Sequence, residues 1–203
     1  VIGLNSEHSE AHYSKGLSLQ RLKKWQDAIV SYDNAIGIDS THSKAYNNRG
    51  MALKELKKFN EALQSLIKSI ELSDSNPEAH NSKGLILFEL KNFDQAAKEY
   101  NIAISIDPAF TEAYSNRGNA FKSQRKYDLA IADYDKAINL DANFSDAHFN
   151  RGIALHQSGK LDAAILSFDE AIKINPNDAE AFFSRGVILN EQKRLDGLES
   201  YRK

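Results

Sequence analysis

Self-similarity at a fixed interval is the feature of this sequence that most restricts its fold. Glycines recur every 34 residues, and an alanine lies five residues before each of them. A second alanine follows twelve residues after each of the first five glycines, and an isoleucine follows twenty residues after. The periodic glycines are Gly16, Gly50, Gly84, Gly118, Gly152 and Gly186. An interval of this length is typical of arrays in which each repeat is one supersecondary unit.

The segment from Thr111 to Phe144 shows what each repeat builds. On both sides of Arg125-Lys126, small and apolar residues recur at three- and four-residue spacing, which is the pattern of one helix face. The repeat therefore predicts two helices joined by a turn. Glycine inside a helix costs about 0.5–1 kcal/mol relative to alanine. Its recurrence predicts that no side chain fits there, and that Gly118 and Ala130 let the two helices approach closely.

Two helices per repeat cannot bury their apolar faces alone, so consecutive hairpins are expected to stack on their neighbours as a single array over residues 1–203. The chain opens at Val1, and neither terminal helix has a polar outer face. These features predict a piece of a longer array, and a further hypothesis is that the uncapped ends associate end to end. The predicted complete units are 9–42, 43–76, 77–110, 111–144 and 145–178, and the predicted partial units are 1–8 and 179–203.

The repeat resembles the tetratricopeptide repeat (TPR) family over essentially the whole chain. The shared order is small residue, aromatic, glycine, aromatic, alanine, aromatic, alanine and a late proline. In the unit 111–144 its first seven elements are Ala113, Tyr114, Gly118, Phe121, Ala130, Tyr134 and Ala137. The resemblance implies an all-α fold, a right-handed α-solenoid (superhelix) of stacked antiparallel hairpins. It also implies that the first helix of every hairpin lines a concave groove.

The resemblance further implies that positions two, five, six, nine, twelve and thirteen of each unit face this groove. Their helical spacing places them on one stripe. The candidate peptide-binding residues are Tyr13, Leu17, Asn47, Asn48, Met51, Asn81, Leu85, Phe88, Asn116, Asn119, Phe149, Asn150, Ile153, Phe183 and Val187. The C-terminal apolar members, Phe149, Ile153, Phe183 and Val187, form the best candidate anchor for a partner peptide or helix. The alternative is that neighbouring first helices cover these side chains.

Two ligand-binding arrangements known in the family can be compared with the sequence. The carboxylate clamp requires lysine at position five and arginine at position six, and no unit has either residue there. The asparagine ladder of O-glycosyltransferase arrays requires asparagine at position six. Three units carry it, as Asn48, Asn116 and Asn150. A substrate-recruiting segment of a larger enzyme of this type is therefore one alternative function, and a self-assembling structural array is another.

Position seven is basic in every unit. These cations could bind an acidic ligand, but the preferred interpretation is that they pair with second-helix acids such as Asp33, Asp135 and Asp169. The basic residues are Lys15, Arg49, Lys83, Arg117, Arg151 and Arg185.

Composition and motifs argue against catalysis and against most non-protein partners. The 26 basic and 28 acidic residues give a net charge of −2, so nothing predicts binding to nucleic acid or anionic lipid. No membrane span or secretory signal is evident, which favours a cytoplasmic protein. No cysteine and no nucleotide, hydrolase or metalloprotease motif is present.

The histidines do not predict a metal site. Three of them share a repeat position with aromatic residues of other units, which indicates a packing role. They are His12, His80 and His148. His8 lies four residues before His12 but in the turn predicted to precede the helix, and no third ligand is near. We therefore predict no metal, cofactor or catalytic residue, and a scaffold or adaptor that binds a protein or peptide ligand.

Overall fold

The computed structural model describes the backbone of residues 2–200 and the side chains of residues 8–193. Within this range the chain forms eleven α-helices and no strand, so the all-α prediction is confirmed. The helices are α1 Ile2–Arg21, α2 Trp25–Ile38, α3 Ser43–Glu55, α4 Phe59–Leu72, α5 Pro77–Glu89, α6 Phe93–Ile106, α7 Thr111–Ser123, α8 Tyr127–Leu140, α9 Ser145–Gln157, α10 Leu161–Ile174 and α11 Ala179–Ser200.

The chain forms two compact units, residues 1–108 with α1–α6 and residues 109–203 with α7–α11. The odd-numbered helices, here called first helices, pair with the even-numbered second helices that follow them. In the first unit α2 packs on α3 and α4 on α5, and in the second unit α8 packs on α9 and α10 on α11. The predicted solenoid of stacked antiparallel hairpins is thus confirmed within each unit.

Periodic glycines lie where the two helices of a hairpin touch. A Cβ atom added at Gly84 would lie 2.5 Å from Cε1 of Tyr100, which is far inside van der Waals contact. The prediction that no side chain fits is confirmed at Gly16, Gly50, Gly84, Gly118 and Gly152. At Gly186 no described atom lies within 4 Å of an added Cβ, so the prediction is not confirmed there.

Each complete hairpin turns through the same backbone motif. The residue after the C-cap of the first helix has a positive φ, and in four of the five hairpins it is a lysine or arginine. In the hairpin of α3 and α4, the N–H of Lys57 donates to Lys54 O at 2.8 Å and that of Lys58 donates to Leu53 O at 3.0 Å. These two bonds define a Schellman motif. The positive-φ residues are Lys23, Lys57, Lys91, Arg125 and Gly159.

The terminal helices α1 and α11 are longer than the others and contain no such turn. Helix α1 runs without a break from Ile2 to Arg21, so the prediction that His8 lies in a turn is wrong. A helix continues until its sequence or its packing ends it, and residues 2–8 contain no proline. Helix α11 likewise continues through Lys193, the position at which earlier hairpins have a positive φ.

Five of the six basic residues of position seven pair with second-helix acids; no such pair is found for Lys15 among the described residues. Arg49 contacts Asp33 at 2.6 Å, and Arg151 contacts Asp135 at 2.6 Å. Each of these pairs joins a first helix to the second helix of the preceding hairpin, and so does the pair of Arg185 with Asp169, as predicted. Lys83–Glu99 and Arg117–Asp133 are instead pairs within one hairpin.

Two of the three aligned histidines lie in packed positions, as predicted. His80 is 8% exposed and His148 is 9% exposed. Nδ1 of His80 lies 2.8 Å from Oε2 of Glu99, and Nε2 of His148 lies 3.1 Å from the carbonyl oxygen of Ala142. His12 is half-buried. A polar ring is accommodated among helices because a neighbouring oxygen satisfies it.

Candidate functional site

Polar contacts between successive first helices show which positions share a face. Nδ2 of Asn48 on α3 donates to the hydroxyl of Tyr13 on α1 at 2.9 Å. In the second unit, Nζ of Lys122 on α7 donates to Oδ1 of Asn150 on α9 at 2.6 Å. Nε2 of His156 lies 2.9 Å from a Glu191 oxygen. Positions five, six, twelve and thirteen thus meet across neighbouring first helices.

The apolar residues proposed as the C-terminal anchor divide into two pairs. Phe149 and Ile153 pack against the buried core of the hairpin of α9 and α10. The ring of Phe149 meets Phe168 edge to face, with centroids 5.6 Å apart. By contrast, Phe183 is 73% exposed and Val187 is 42% exposed. One pair therefore contributes to hairpin packing, and the other is open on α11.

Exposure at position five depends on the place of the helix within its unit. Phe149 on α9, which has α7 and α11 on either side, is partly buried, whereas Phe183 on α11 is 73% exposed at the same repeat position. Among the described residues, α11 contacts only α9 and α10, so one side of this helix has no neighbour within its unit. The openness of Phe183 follows from this place and not from a concavity of the first-helix face.

Several amides of the predicted groove are engaged within the protein. Both ends of Asn150 are used, because its Nδ2 also donates to the carbonyl oxygen of Asp146 at 2.9 Å. Oδ1 of Asn119 accepts from the hydroxyl of the buried Tyr134 at 2.7 Å. Burial lowers the pKa of Lys122, the partner of Asn150, while the charge of Glu180 opposes this shift. Because of these bonds, fewer asparagine groups of the predicted groove are free to bind a peptide backbone.

A cleft of about 750 Å³ opens in the first unit, between the middle of α1 and the N-terminal ends of α3 and α5. Its volume is within the range of about 300–1,000 Å³ typical of ligand pockets. Position two of all three helices and position five of α1 and α3 line it, together with the turns before α3 and α5. The residues at those positions are Glu10, Tyr13, Lys44, Asn47 and Glu78.

The turn before α3 is fixed by side-chain bonds at the cleft wall. Oδ1 of Asp39 accepts bonds from the backbone N–H and the hydroxyl of Thr41, at 2.9 and 2.7 Å, and these lower the Asp39 pKa. Nδ1 of His42 accepts from the N–H of Ala45 at 3.4 Å, so this ring is the N-cap of α3. The His42 ring also packs against Tyr13, with centroids 4.8 Å apart.

The turn before α5 is fixed in the same way. Oδ1 of Asn76 accepts from the N–H of Ala79 at 3.1 Å, and Pro77 occupies the first turn of α5. Caps of this kind satisfy N–H groups that the helix itself leaves without partners. The cleft wall is therefore a set of capped helix starts.

Several cleft groups have no partner among the residues that the structure describes. Lys44 and Glu78 are exposed and form no hydrogen bond or ion pair there. Oδ1 of Asn47 is shielded from solvent and has no hydrogen-bond partner. Nε2 of His42 lies 3.3 Å from Oε2 of Glu10 but is not aligned for a hydrogen bond.

The sequence analysis identified Tyr13 and Asn47 but missed the charged residues of position two. A periodic pattern in the sequence did point to these residues, because position two carries a carboxylate in five of the six first helices. Those acids are Glu10, Glu78, Glu112, Asp146 and Glu180. An acid in the first turn also interacts favourably with the helix dipole, so the periodicity alone does not separate a structural role from a binding role.

The described part of the chain contains neither a metal-binding cluster nor a helix that could cross a membrane. No group of three or more histidine, cysteine, aspartate or glutamate side chains is arranged to hold a metal ion there. None of the helices described has the length and apolar character needed to cross a membrane.

Comparison with known protein families gives matches over most of the chain. A model described as TPR repeat matches residues 84–124, 118–159 and 154–193. A second, described as tetratricopeptide repeat, matches residues 43–76. No curated protein matches the chain significantly in sequence.

Solved structures with the same fold share little sequence with this chain. The crystal structure of YrrB, described as a TPR protein with an unusual peptide-binding site, is 22% identical over 91% of this chain and 95% of that chain, with a TM-score of 0.68. The structure of Pseudomonas aeruginosa pilF is 18% identical over 97% of this chain and 90% of that chain, with a TM-score of 0.84.

A third solved structure is the first TPR of Spaghetti (RPAP3) bound to an HSP90 peptide. It is 24% identical over 58% of this chain and 93% of that chain, with a TM-score of 0.57. At such identities the structural likenesses concern the fold alone, whereas the family models match the sequence itself. The chain therefore belongs to the tetratricopeptide repeat family.

Proposed function

We propose that this chain is a non-catalytic scaffold or adaptor that binds a segment of a partner protein in the cleft of its first unit. The observation that carries the proposal is that the cleft opens on position two of three first helices and on position five of two of them. These are the positions at which the family resemblance implies a ligand groove. YrrB, described with a peptide-binding site, and the peptide-bound TPR of RPAP3 support a peptide as the ligand.

The groups of the cleft suit recognition of a peptide. Tyr13 offers an aromatic surface, Asn47 an amide, and Lys44 and Glu78 opposite charges without partners of their own. An amide both donates and accepts, as an extended peptide backbone requires. The capped starts of α3 and α5 hold Lys44, Asn47 and Glu78 in place before a ligand arrives, which lowers the entropy lost on binding.

The proposal is tested by selecting binders from a random heptapeptide library with the wild-type chain. The selected peptides are then measured against a Tyr13→Ala/Asn47→Ala variant by fluorescence anisotropy. We expect at least a tenfold weaker affinity, because the variant removes the aromatic surface and the amide together. Circular dichroism checks that the variant remains folded, since Tyr13 also packs on Tyr32 with centroids 6.0 Å apart.

A Phe183→Ala/Val187→Ala variant is the matched control, because it removes two exposed side chains from a first helix of the other unit. Unchanged affinity in this control supports the cleft. Affinity lost only in the control would contradict the cleft as the binding site and place the ligand on α11. If the library yields no peptide that binds the folded wild-type chain, the proposed function itself is contradicted.

Self-association is a second candidate, and the open face of α11 favours it. Phe182 is 48% exposed although Tyr114, at the same repeat position, is 8% exposed. Together with Phe183 and Val187 it forms an apolar surface that a second copy could cover. Light scattering over a hundredfold dilution tests this candidate. A constant monomer mass would contradict it, and a dimer abolished by Phe182→Ser/Phe183→Ser would support it.

A further inference from the structure

We infer that the cleft of the first unit selects a basic partner segment, one that inserts an arginine or lysine side chain between α1 and α5. This inference rests on the proposed function and adds the chemical class of the ligand. Two observations carry it: the charges that line the cleft, and the groups around Asn47 that have no partner among the described residues.

Carboxylates outnumber cations at the cleft. Glu10, Asp39 and Glu78 line it against one ammonium group, that of Lys44. The chain as a whole carries a net charge of only −2 over 203 residues, so the excess is a local property of the site. A concave surface with charges of mostly one sign concentrates ligands of the opposite sign.

The carboxylates flank the centre of the cleft. Glu10 is at position two of α1 and Glu78 is at position two of α5, on either side of α3, which carries Asn47. Oε2 of Glu10 lies 3.3 Å from Nε2 of His42, whose ring packs on that of Tyr13 with centroids 4.8 Å apart. A cation between the two acids would therefore lie beside an aromatic ring, an arrangement that favours cation–π contact.

Two acceptors at the centre, the exposed carboxylate of Glu78 and the solvent-shielded amide oxygen of Asn47, call for a hydrogen-bond donor. Oδ1 of Asn47 is an acceptor without a partner. The Glu78 carboxylate also has no partner among the described residues. A guanidinium has five N–H donors and no acceptor, and an ammonium has three donors. Either group can bind an amide oxygen and a carboxylate at once, whereas an acidic side chain would meet acceptors.

The starts of α3 and α5 do not favour an acidic ligand instead. A helix N-terminus attracts anions through its free N–H groups. Here His42 already accepts from the N–H of Ala45, and Asn76 accepts from that of Ala79. Lys44 remains as one exposed cation, which sits on the same helix as Asn47 and is outnumbered by the acids around it.

The test is the sequence content of peptides selected from the random heptapeptide library, read by deep sequencing. Selection uses the wild-type chain, a Glu10→Gln/Glu78→Gln variant and a charge-matched control, Asp27→Asn/Glu61→Gln. Both control positions are exposed acids on second helices of the same unit, away from the cleft. Peptides selected with the wild type and with the control should contain more arginine and lysine than the starting library. Peptides selected with the Glu10→Gln/Glu78→Gln variant should not.

The affinities of a selected basic peptide and of the same peptide with Arg→Gln then measure how much the charges contribute to binding. Each removed carboxylate should weaken the basic peptide about fivefold at low salt. Lys44→Gln should strengthen binding, because it removes the competing cation. The Arg→Gln peptide should bind the wild type and the Glu10→Gln/Glu78→Gln variant equally.

The outcomes separate the charge class from the proposed function. Selected peptides that are neutral or acidic, yet lose affinity in Tyr13→Ala/Asn47→Ala, would overturn the basic class and leave peptide binding in the cleft intact. Basic peptides that bind the Glu10→Gln/Glu78→Gln variant as tightly as the wild type would also overturn it. Peptides whose affinity is unchanged in every cleft variant would overturn both this inference and the proposal that the cleft is the binding site.

Discussion

At the scale of single residues, a glycine and an aromatic ring sixteen positions later form the contact that recurs through the array. Gly16 faces Tyr32, Gly84 faces Tyr100, Gly118 faces Tyr134 and Gly152 faces Phe168, whereas Gly50 faces Leu66. The rings are fully buried, with Tyr32 and Tyr134 at 0% and Tyr100 at 1% exposure. The helix-forming cost of glycine is offset because a large ring packs directly on the opposing backbone.

Substitution of the contact glycine tests this packing. Gly84→Ala should lower the free energy of unfolding by about 1–3 kcal/mol, because the new methyl overpacks the site against Tyr100. Gly37→Ala is the matched control: Gly37 is also in a helix, and no atom lies within 4 Å of its added Cβ. The control should gain about 0.5 kcal/mol of stability. Urea denaturation measures both, and equal effects at the two glycines would contradict the contact.

The buried tyrosines also predict how stability depends on pH. Burial raises the pKa of Tyr32, Tyr100 and Tyr134 above the ordinary tyrosine value. Their folded-state pKa exceeds the unfolded value of about 10, so their contribution is complete below that pH and declines as pH rises above it. Each group should cost up to about 1.4 kcal/mol per pH unit in that range.

Tyr100→Phe isolates one of these groups, and Phe168 shows that the repeat accepts phenylalanine at this position. The variant should lose stability less steeply than the wild type between about pH 10 and 12. Chemical denaturation at a series of pH values gives the two slopes. Identical slopes would show that Tyr100 does not contribute to alkaline destabilisation.

At the scale of elements, the turn within each hairpin depends on one residue in the left-handed region. Lys91 has a φ of 60° and closes the Schellman motif of α5 through its bond to Phe88 O at 2.8 Å. A residue with a Cβ pays about 1–2 kcal/mol for left-handed backbone, and glycine does not. Only the hairpin of α9 and α10 uses glycine there, as Gly159 with a φ of 79°.

Exchange of this residue should therefore change stability in opposite directions in two hairpins. Lys91→Gly should stabilise the chain by up to about 1 kcal/mol, and Gly159→Ala should destabilise it by a similar amount. Lys91→Ala is the control for loss of the lysine side chain and should give no gain. Thermal unfolding ranks the variants, and a stabilisation by Lys91→Ala equal to that by Lys91→Gly would assign the effect to charge.

At the scale of the whole molecule, stability is local because hairpins contact only their neighbours within each unit. In the second unit, α9 contacts α7, α8, α10 and α11, whereas α11 contacts only α9 and α10 among the described helices. Phe182 on α11 is accordingly 48% exposed, whereas His148, at the same repeat position of α9, is 9% exposed. In such an array the free energy of local opening follows the number of neighbours.

Native-state hydrogen exchange measures this difference directly. Amides of residues 179–193 should exchange faster than those of α9 and α10, because α11 opens without disturbing a hairpin on its far side. Uniform protection across these three helices would show that the second unit opens as one cooperative body. A copy of the chain bound to α11 would also raise protection there, and dilution would reverse that effect.

The repeating element and its internal contacts can be predicted from the amino-acid order alone. The 34-residue interval, the glycines and the alternating helical stripes indicate the hairpins, and Arg49 and Arg151 could be paired in advance with Asp33 and Asp135. These predictions succeeded because a helix face and its contact with the adjacent helix repeat with the sequence period.

Which repeated positions are exposed, and which charges surround them, depends on how the helices pack in three dimensions. Phe149 and Phe183 occupy the same repeat position, yet the first packs on Phe168 and the second is exposed, because only α9 has first-helix neighbours on both sides within its unit. Glu10 and Glu78 lie 68 positions apart in sequence and line one cleft. Exposure and local charge are set by what packs alongside a residue, and a one-dimensional period does not contain that information.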